Sequence, residues 1–149
     1  MLSPENIGRT SEPRTIVVEP GQLKLFAKAI QETNPIYFDE AAAKQAGHPN
    51  ILAPLTFGNC LKLLAPSTRL TYESLGIDFK NLLHGEEAFE YFSPIYAGDC
   101  LTLTTEVTDV YDKKAGALQF MVMVTEIHRG DALVQRISGT LVMVNKVKQ

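Results

Sequence analysis

Pro54-Leu55-Thr56-Phe57-Gly58-Asn59-Cys60-Leu61-Lys62-Leu63-Leu64-Ala65-Pro66 is the stretch on which the fold turns. Wound as a helix, its apolar side chains cover nearly the whole circumference, and Lys62 is its single charge. Proline is tolerated in a first helical turn, and Pro66 ends the run because it lacks an N–H and clashes with the preceding turn. The spacing predicts a helix over 54–66. A helix apolar on all sides must be enclosed, here by a sheet. Gly58 and Asn59 lower its intrinsic propensity, so small size at that point serves packing or a channel.

Downstream the period changes. Runs at 82–92, 100–111, 117–129 and 132–145 are rich in Val, Thr, Phe and Tyr and are bounded by Gly, Asp or Pro, as strands are. Leu101, Leu103 and Val107 alternate with Thr102, Thr104 and Thr108, a half-buried strand. Arg129-Gly130-Asp131 joins two of these strands tightly, so that pair is antiparallel. Upstream, a short strand at 15–18 is stopped by the turn pair Pro20-Gly21. Leu23, Phe26, Ala27 and Ile30 then recur at helical spacing, and Pro35 ends that helix near Glu32–Thr33. Asp39 caps a short Ala-rich helix closed by Gly47. Short strand, helices, then about four long antiparallel strands is an α+β order. One enclosed helix wrapped by a curved antiparallel sheet of about five strands is the hot-dog arrangement, and its open edge favours a dimer.

The chain has 149 residues, 45% of them hydrophobic, which fits one domain with an ordinary core. Residues 1–14, polar and carrying Pro4 and Pro13, read as a flexible arm rather than a signal peptide, and 15–149 as the single domain. A net charge of −3 with scattered Lys and Arg argues against a nucleic-acid surface. No apolar run is long enough for a membrane span, so a soluble, cytoplasmic protein is expected. Two distant cysteines and three separated histidines offer no metal spacing. The sequence has no GxGxxG and no P-loop, so no cofactor is expected.

Glu32-Thr33-Asn34-Pro35-Ile36-Tyr37-Phe38-Asp39 resembles the Asp-x-Asn-Pro-Ile/Leu-His-x-Asp motif of the MaoC-like (R)-specific enoyl-CoA hydratases and dehydratases. The resemblance runs on through Ala53-Pro54-Leu55-Thr56-Phe57, His84-Gly85-Glu86-Glu87 and Pro94-Ile95-Tyr96-Ala97-Gly98-Asp99. It is nearest to the N-terminal, acyl-binding, FAS1-like dehydratase half of two-domain members, or to the matching stand-alone subunit. It implies a component of a hydro-lyase acting on acyl-CoA or acyl-carrier-protein thioesters, as a homodimer or as a heterodimer with a catalytic hot-dog subunit. In active members an Asp and a His hold one water and move it across the α,β double bond.

Here Glu32 stands at the Asp position and Tyr37 at the His position. Glu32 adds a methylene, which displaces a base that must lie within about 2.6–3.2 Å of its proton. A phenol with a reference pKa near 10 does not accept protons at neutral pH as imidazole does. The usual His-Gly of the oxyanion element falls on Pro54-Leu55, of which only Leu55 offers an N–H. The candidate catalytic residues are therefore Glu32, Tyr37 and, as the alternative imidazole, His84, with Glu86 expected on the face of His84. Asn34, Pro35, Leu55, Thr56, Phe57 and Gly58 are the candidate substrate-binding residues. Each also has a plain structural reading: a helix end, a turn, a packed aromatic. Three functions stay open. They are an acyl-binding partner of a catalytic subunit, a self-sufficient hydratase using Glu32 with Tyr37 or His84, and a dimer binding lipid-like ligands without turnover.

Overall fold

The β-branched and aromatic runs of the second half become four long strands. The computed structural model describes residues 2–145; Lys146 and Lys148 of the basic tail lie outside the described residues. The strands are β1 (Arg14–Val17), β2 (Leu82–Tyr91), β3 (Cys100–Lys113), β4 (Leu118–Arg129) and β5 (Ala132–Val144), and the helices α1 (Pro20–Ala29), α2 (Glu40–Gln45) and α3 (Gly58–Leu64). A single antiparallel sheet runs β1-β3-β4-β5-β2, which leaves β2 as one edge. This is the expected α+β order. The β3–β4 and β4–β5 links turn on Gly116 and Gly130, both at positive φ. At the turn before β3, Asp99 accepts from the Tyr96 N–H at 2.8 Å and pairs with Arg129.

Four expectations change. Pro20-Gly21 is not a turn but the first turn of α1, where proline's missing N–H has no helical partner to lose. Second, α1 stops at Ala29, before the proline argument required. Gln31 takes a left-handed φ of 60°, its N–H bonds Lys28 O at 3.0 Å, and Glu32 N–H bonds Ala27 O at 2.9 Å. That is a Schellman closure without glycine.

Third, residues 2–13 are docked rather than a flexible arm. Leu2, Asn6 and Ser11 are buried. Gly8 and Ser11 donate to Val107 O and Thr105 O, both at 2.8 Å, so this segment continues pairing along β3 where β1 ends. A free strand edge accepts backbone partners whatever their side-chain composition, which is why a polar, proline-containing stretch reads as loose.

Fourth, the rod at 54–66 is not enclosed on all sides within this chain. A 3₁₀ turn at Leu55–Phe57 leads into the short α3. Phe57 and Leu61 are buried on the sheet side, but Leu55, Leu63 and Leu64 are 64%, 77% and 44% exposed. The sheet covers only one flank of the rod. Gly58 is the contact point: a Cβ there would stand 1.8 Å from Gln135 Oε1 and 3.2 Å from Ile137 Cδ1. One core, built around Leu23, Phe57, Leu61, Leu101, Ile127 and Ile137, fills the space under α1 and α3. A second, around Leu2, Leu75, Val107, Met121 and Met143, fills the other end of the sheet.

Candidate functional site

The Schellman turn delivers Glu32 into a tightly bonded loop. Glu32 Oε1 accepts from the N–H groups of Thr33 (2.8 Å) and Asn34 (3.0 Å). Asn34 Oδ1 in turn accepts from Ile36 N–H at 3.2 Å, and Pro35 opens a 3₁₀ turn that ends at Tyr37. Glu32 and Asn34 thus act as caps of their own backbone. Tyr37 is half-buried. Burial raises its phenol above the ordinary value, and the neighbouring Glu32 charge raises it further. Both causes favour the protonated form, so Tyr37 is a hydrogen-bond donor at neutral pH.

The motif loop is tied to the next segment by Leu52 N–H donating to Ile36 O at 3.1 Å, and Ala53 N–H donates to Ile95 O at 2.8 Å. Residues 52–55, with residues 91–95 and Gln135, enclose a small cavity of about 270 Å³. Gln135 is buried and donates from Nε2 to Leu55 O at 3.0 Å. Pro54 and Leu55 line this cavity. Thr56 is exposed, and Phe57 is a core residue edge-on to Phe26 at 5.5 Å.

A larger cavity, about 550 Å³, opens beyond the other end of α3, between the helix, residues 66–72 and the inner face of the sheet. Its apolar wall includes Leu63, Leu70, Met123 and Leu141; its polar wall includes Arg14, Thr105, Thr125, His84, Lys62 and Glu87. Lys62 Nζ and Glu87 Oε1 form an ion pair of 2.8 Å. The roof is held by Glu12, whose carboxylate accepts from Ser67 Oγ (2.6 Å), Thr68 N–H (2.7 Å) and Thr68 Oγ1 (2.8 Å). These bonds hold Glu12 well below the usual carboxylate range.

His84 lines this larger cavity, whereas neither cavity is lined by Glu32 or Tyr37. The three candidate catalytic side chains are therefore not gathered in one cavity. On β2 the partner of His84 is not Glu86. A bulge at Gly85 shifts the register from His84↔Leu141 to Glu86↔Thr140, so Glu87 shares the cavity with His84. Gly85 is required there, because a Cβ would sit 2.9 Å from Val142 Cγ2 and 3.3 Å from Thr140 O. Arg14, Lys62, Thr105, Thr125 and Glu87 were not legible as site residues. The one signal was Gly85 itself, since a strand glycine often marks a bulge. His48 Nδ1 lies 3.2 Å from Tyr96 Oη, and His128 stands beside Glu126. Among the described residues no group of three His, Cys, Asp or Glu side chains is arranged to hold a metal, and Cys60 and Cys100 are free.

The family description "FAS1-like, dehydratase domain region" matches residues 5–136. This chain belongs to that family. The match begins inside the docked N-terminal segment of the FAS1-like dehydratase domain. Among relatives, a UPF0336 protein of Thermobifida fusca is 32% identical over 127 residues, covering 85% of this chain and 82% of that one. Among solved structures, a MaoC-like dehydratase superposes with a TM-score of 0.82 at 26% identity; the match covers 95% of this chain but only 43% of that one. The HadBC (3R-hydroxyacyl-ACP dehydratase) complex of Mycobacterium tuberculosis superposes with a TM-score of 0.76 at 25% identity over 92% of this chain and 96% of that one. The fold is the hot-dog fold of the MaoC-like dehydratases. No helix of the described residues is long and apolar enough to cross a membrane.

Proposed function

We infer that this chain is the acyl-thioester-binding subunit of a hydro-lyase whose proton-transferring pair stands on a second hot-dog chain. The observation that carries the reading is Tyr37. A protonated phenol occupies the histidine position of the motif, and the adjoining Glu32 carboxylate already accepts two backbone N–H bonds. Adding water to an enoyl thioester needs a base poised near neutrality, and this motif supplies none. The space for a ligand is retained, in the cavity of about 550 Å³. That volume lies within the roughly 300–1,000 Å³ usual for ligand sites.

Two surfaces support a partner subunit. β2 is an exposed edge with unpaired backbone groups, and Leu55, Leu63, Leu64 and Phe92 form exposed apolar surface that a partner chain would cover. A catalytic hot-dog chain with an intact Asp-x-Asn-Pro-x-His motif is the occupant this reading commits to. The HadBC complex, described as a 3R-hydroxyacyl-ACP dehydratase, is a complex of hot-dog subunits among the similar structures. The substrate would be an acyl-CoA or acyl-carrier-protein thioester, and the setting cytoplasmic.

One observation favours a second reading. The Gly85 bulge turns His84 and Glu87 toward the same cavity, an imidazole and a carboxylate that a self-sufficient hydratase could use. Hydration of crotonyl-CoA and longer enoyl-CoAs, followed by loss of the conjugated thioester absorbance, separates the two. The subunit reading expects no turnover from the purified chain and turnover when the catalytic hot-dog chain is added. Turnover by the chain alone that is abolished by His84→Ala supports the second reading; loss with Glu32→Ala instead would place the base in the motif. Tight binding of acyl-CoA with no hydration under either condition leaves a binding module.

A further inference from the structure

The wall of the larger cavity holds a buried guanidinium and two buried hydroxyls in contact. Arg14 reaches from β1 beneath α3, where Nη1 donates to Ala65 O at 2.8 Å and Nη2 to Thr105 Oγ1 at 2.9 Å. Thr105 and Thr125 face each other in the β3–β4 register, and their hydroxyl oxygens are 2.9 Å apart. Both threonines are more than nine-tenths buried, at 9% and 2% exposure.

A guanidinium only donates, so Thr105 Oγ1 accepts from it. The bond between the two hydroxyls uses one hydroxyl hydrogen, whichever way it runs. The other hydroxyl hydrogen has no protein acceptor among the described residues, and neither does the buried Arg14 Nε–H. The nearby carboxylates are engaged, Glu12 with Ser67 and Thr68 and Glu87 with Lys62. Burial lowers the Arg14 pKa and the Glu12 charge opposes this; the group stays a cation, as arginine does in proteins. A buried donor left without an acceptor is unfavourable, and an oxygen bound at the Thr105–Thr125 pair would relieve the free hydroxyl, whereas Arg14 Nε–H is sealed from a ligand.

We propose that the larger cavity takes an acyl chain that carries, toward its ω end and in addition to any oxygen at C3, an oxygen acceptor (a hydroxyl, carbonyl or carboxylate) that hydrogen-bonds to the Arg14–Thr105–Thr125 cluster. Leu70, Met123 and Leu141 face the methylenes of the same chain. The inference rests on the acyl-binding reading and narrows its substrate class from plain fatty chains to oxygenated ones.

Calorimetric titration of the full chain with paired acyl-CoAs tests it. A plain series from octanoyl to hexadecanoyl is compared with its ω-hydroxy and ω-carboxy counterparts. At the length that reaches the cluster, the oxygenated chain should bind roughly tenfold more tightly than the plain one, the equivalent of one buried hydrogen bond. Thr125→Val keeps the shape and removes a hydroxyl. It should reduce that preference to about twofold or less. The ω-carboxy chain should bind more tightly than the ω-hydroxy chain through the Arg14 cation, and Arg14→Met should remove that difference. Equal affinity for plain and oxygenated chains at every length, with plain chains bound, overturns this inference alone and means that water satisfies the donors. If no acyl-CoA of either series binds, the acyl-binding reading falls, and this inference with it.

Discussion

The two ends of α3 differ in a way that separates recognition of the family from recognition of its chemistry. At the first turn the sheet side is closed. Gly58 presses on Gln135, Phe57 packs on Phe26, and the adjoining motif loop uses its polar groups on its own backbone. At the last turn the protein is open, with Lys62 and Leu63 facing a cavity about twice the volume of the one near the motif. The motif carries the likeness because turn-forming residues are contiguous and constrain the backbone locally. The larger cavity lies elsewhere, assembled from segments far apart in the chain. On the proposed reading, a hot-dog domain loses its proton-transfer pair and keeps its room for a ligand.

The comparison is tested most severely at the buried flank of the rod. Leu61→Ala should cost about 2–5 kcal/mol, read as a fall in the thermal midpoint of about 2–4 °C per kcal/mol. A loss under 1 kcal/mol would mean that the sheet side of α3 is not the packed one. Gly58→Ala should follow, at about 1–3 kcal/mol, because the new methyl displaces the Gln135 amide against a packed sheet. Denaturant midpoints measure it, and an unchanged midpoint would show that the first turn is not closed.

The open end is sharpened by pH. Glu12 is depressed in the folded chain by its bonds to Ser67 and Thr68, so its contribution is fully present above the ordinary Glu value of about 4.3. It is lost as pH falls below that value toward the folded one. Acid unfolding of Glu12→Gln should show a shallower limb below about pH 4 than the parent, with little difference in slope at pH 7. Smallest of all is Leu63→Ala, expected within about 0.5 kcal/mol on the isolated chain because the side chain is already in water. On the proposed subunit reading, the same variant weakens association with a catalytic hot-dog chain, measured by calorimetry. A large stability loss without a partner would erase the contrast between the two flanks.

Much of the fold was legible in the sequence alone. Alternation and turn residues located β2 to β5 within a few positions, and the wholly apolar run located α3. The misreadings share one cause. The docking of residues 2–13 depends on a free edge of β3 that no local pattern reveals, and the end of α1 on a left-handed Gln31 that composition does not mark. The change from Glu86 to Glu87 depends on a single inserted residue, since a one-residue slip in a period of two exchanges the faces.

The chain's own residue order thus determined the element sequence, the family and the absence of an imidazole at position 37, because periodicity, turn chemistry and side-chain identity are local properties. Which side chains share a cavity was decided by the tertiary structure. Arg14, Thr105, Thr125 and His84 meet only through sheet register, the Gly85 bulge and the way residues 66–72 fold over the end of α3. Those are long-range geometric outcomes, in which each residue's role is set by a partner it does not adjoin.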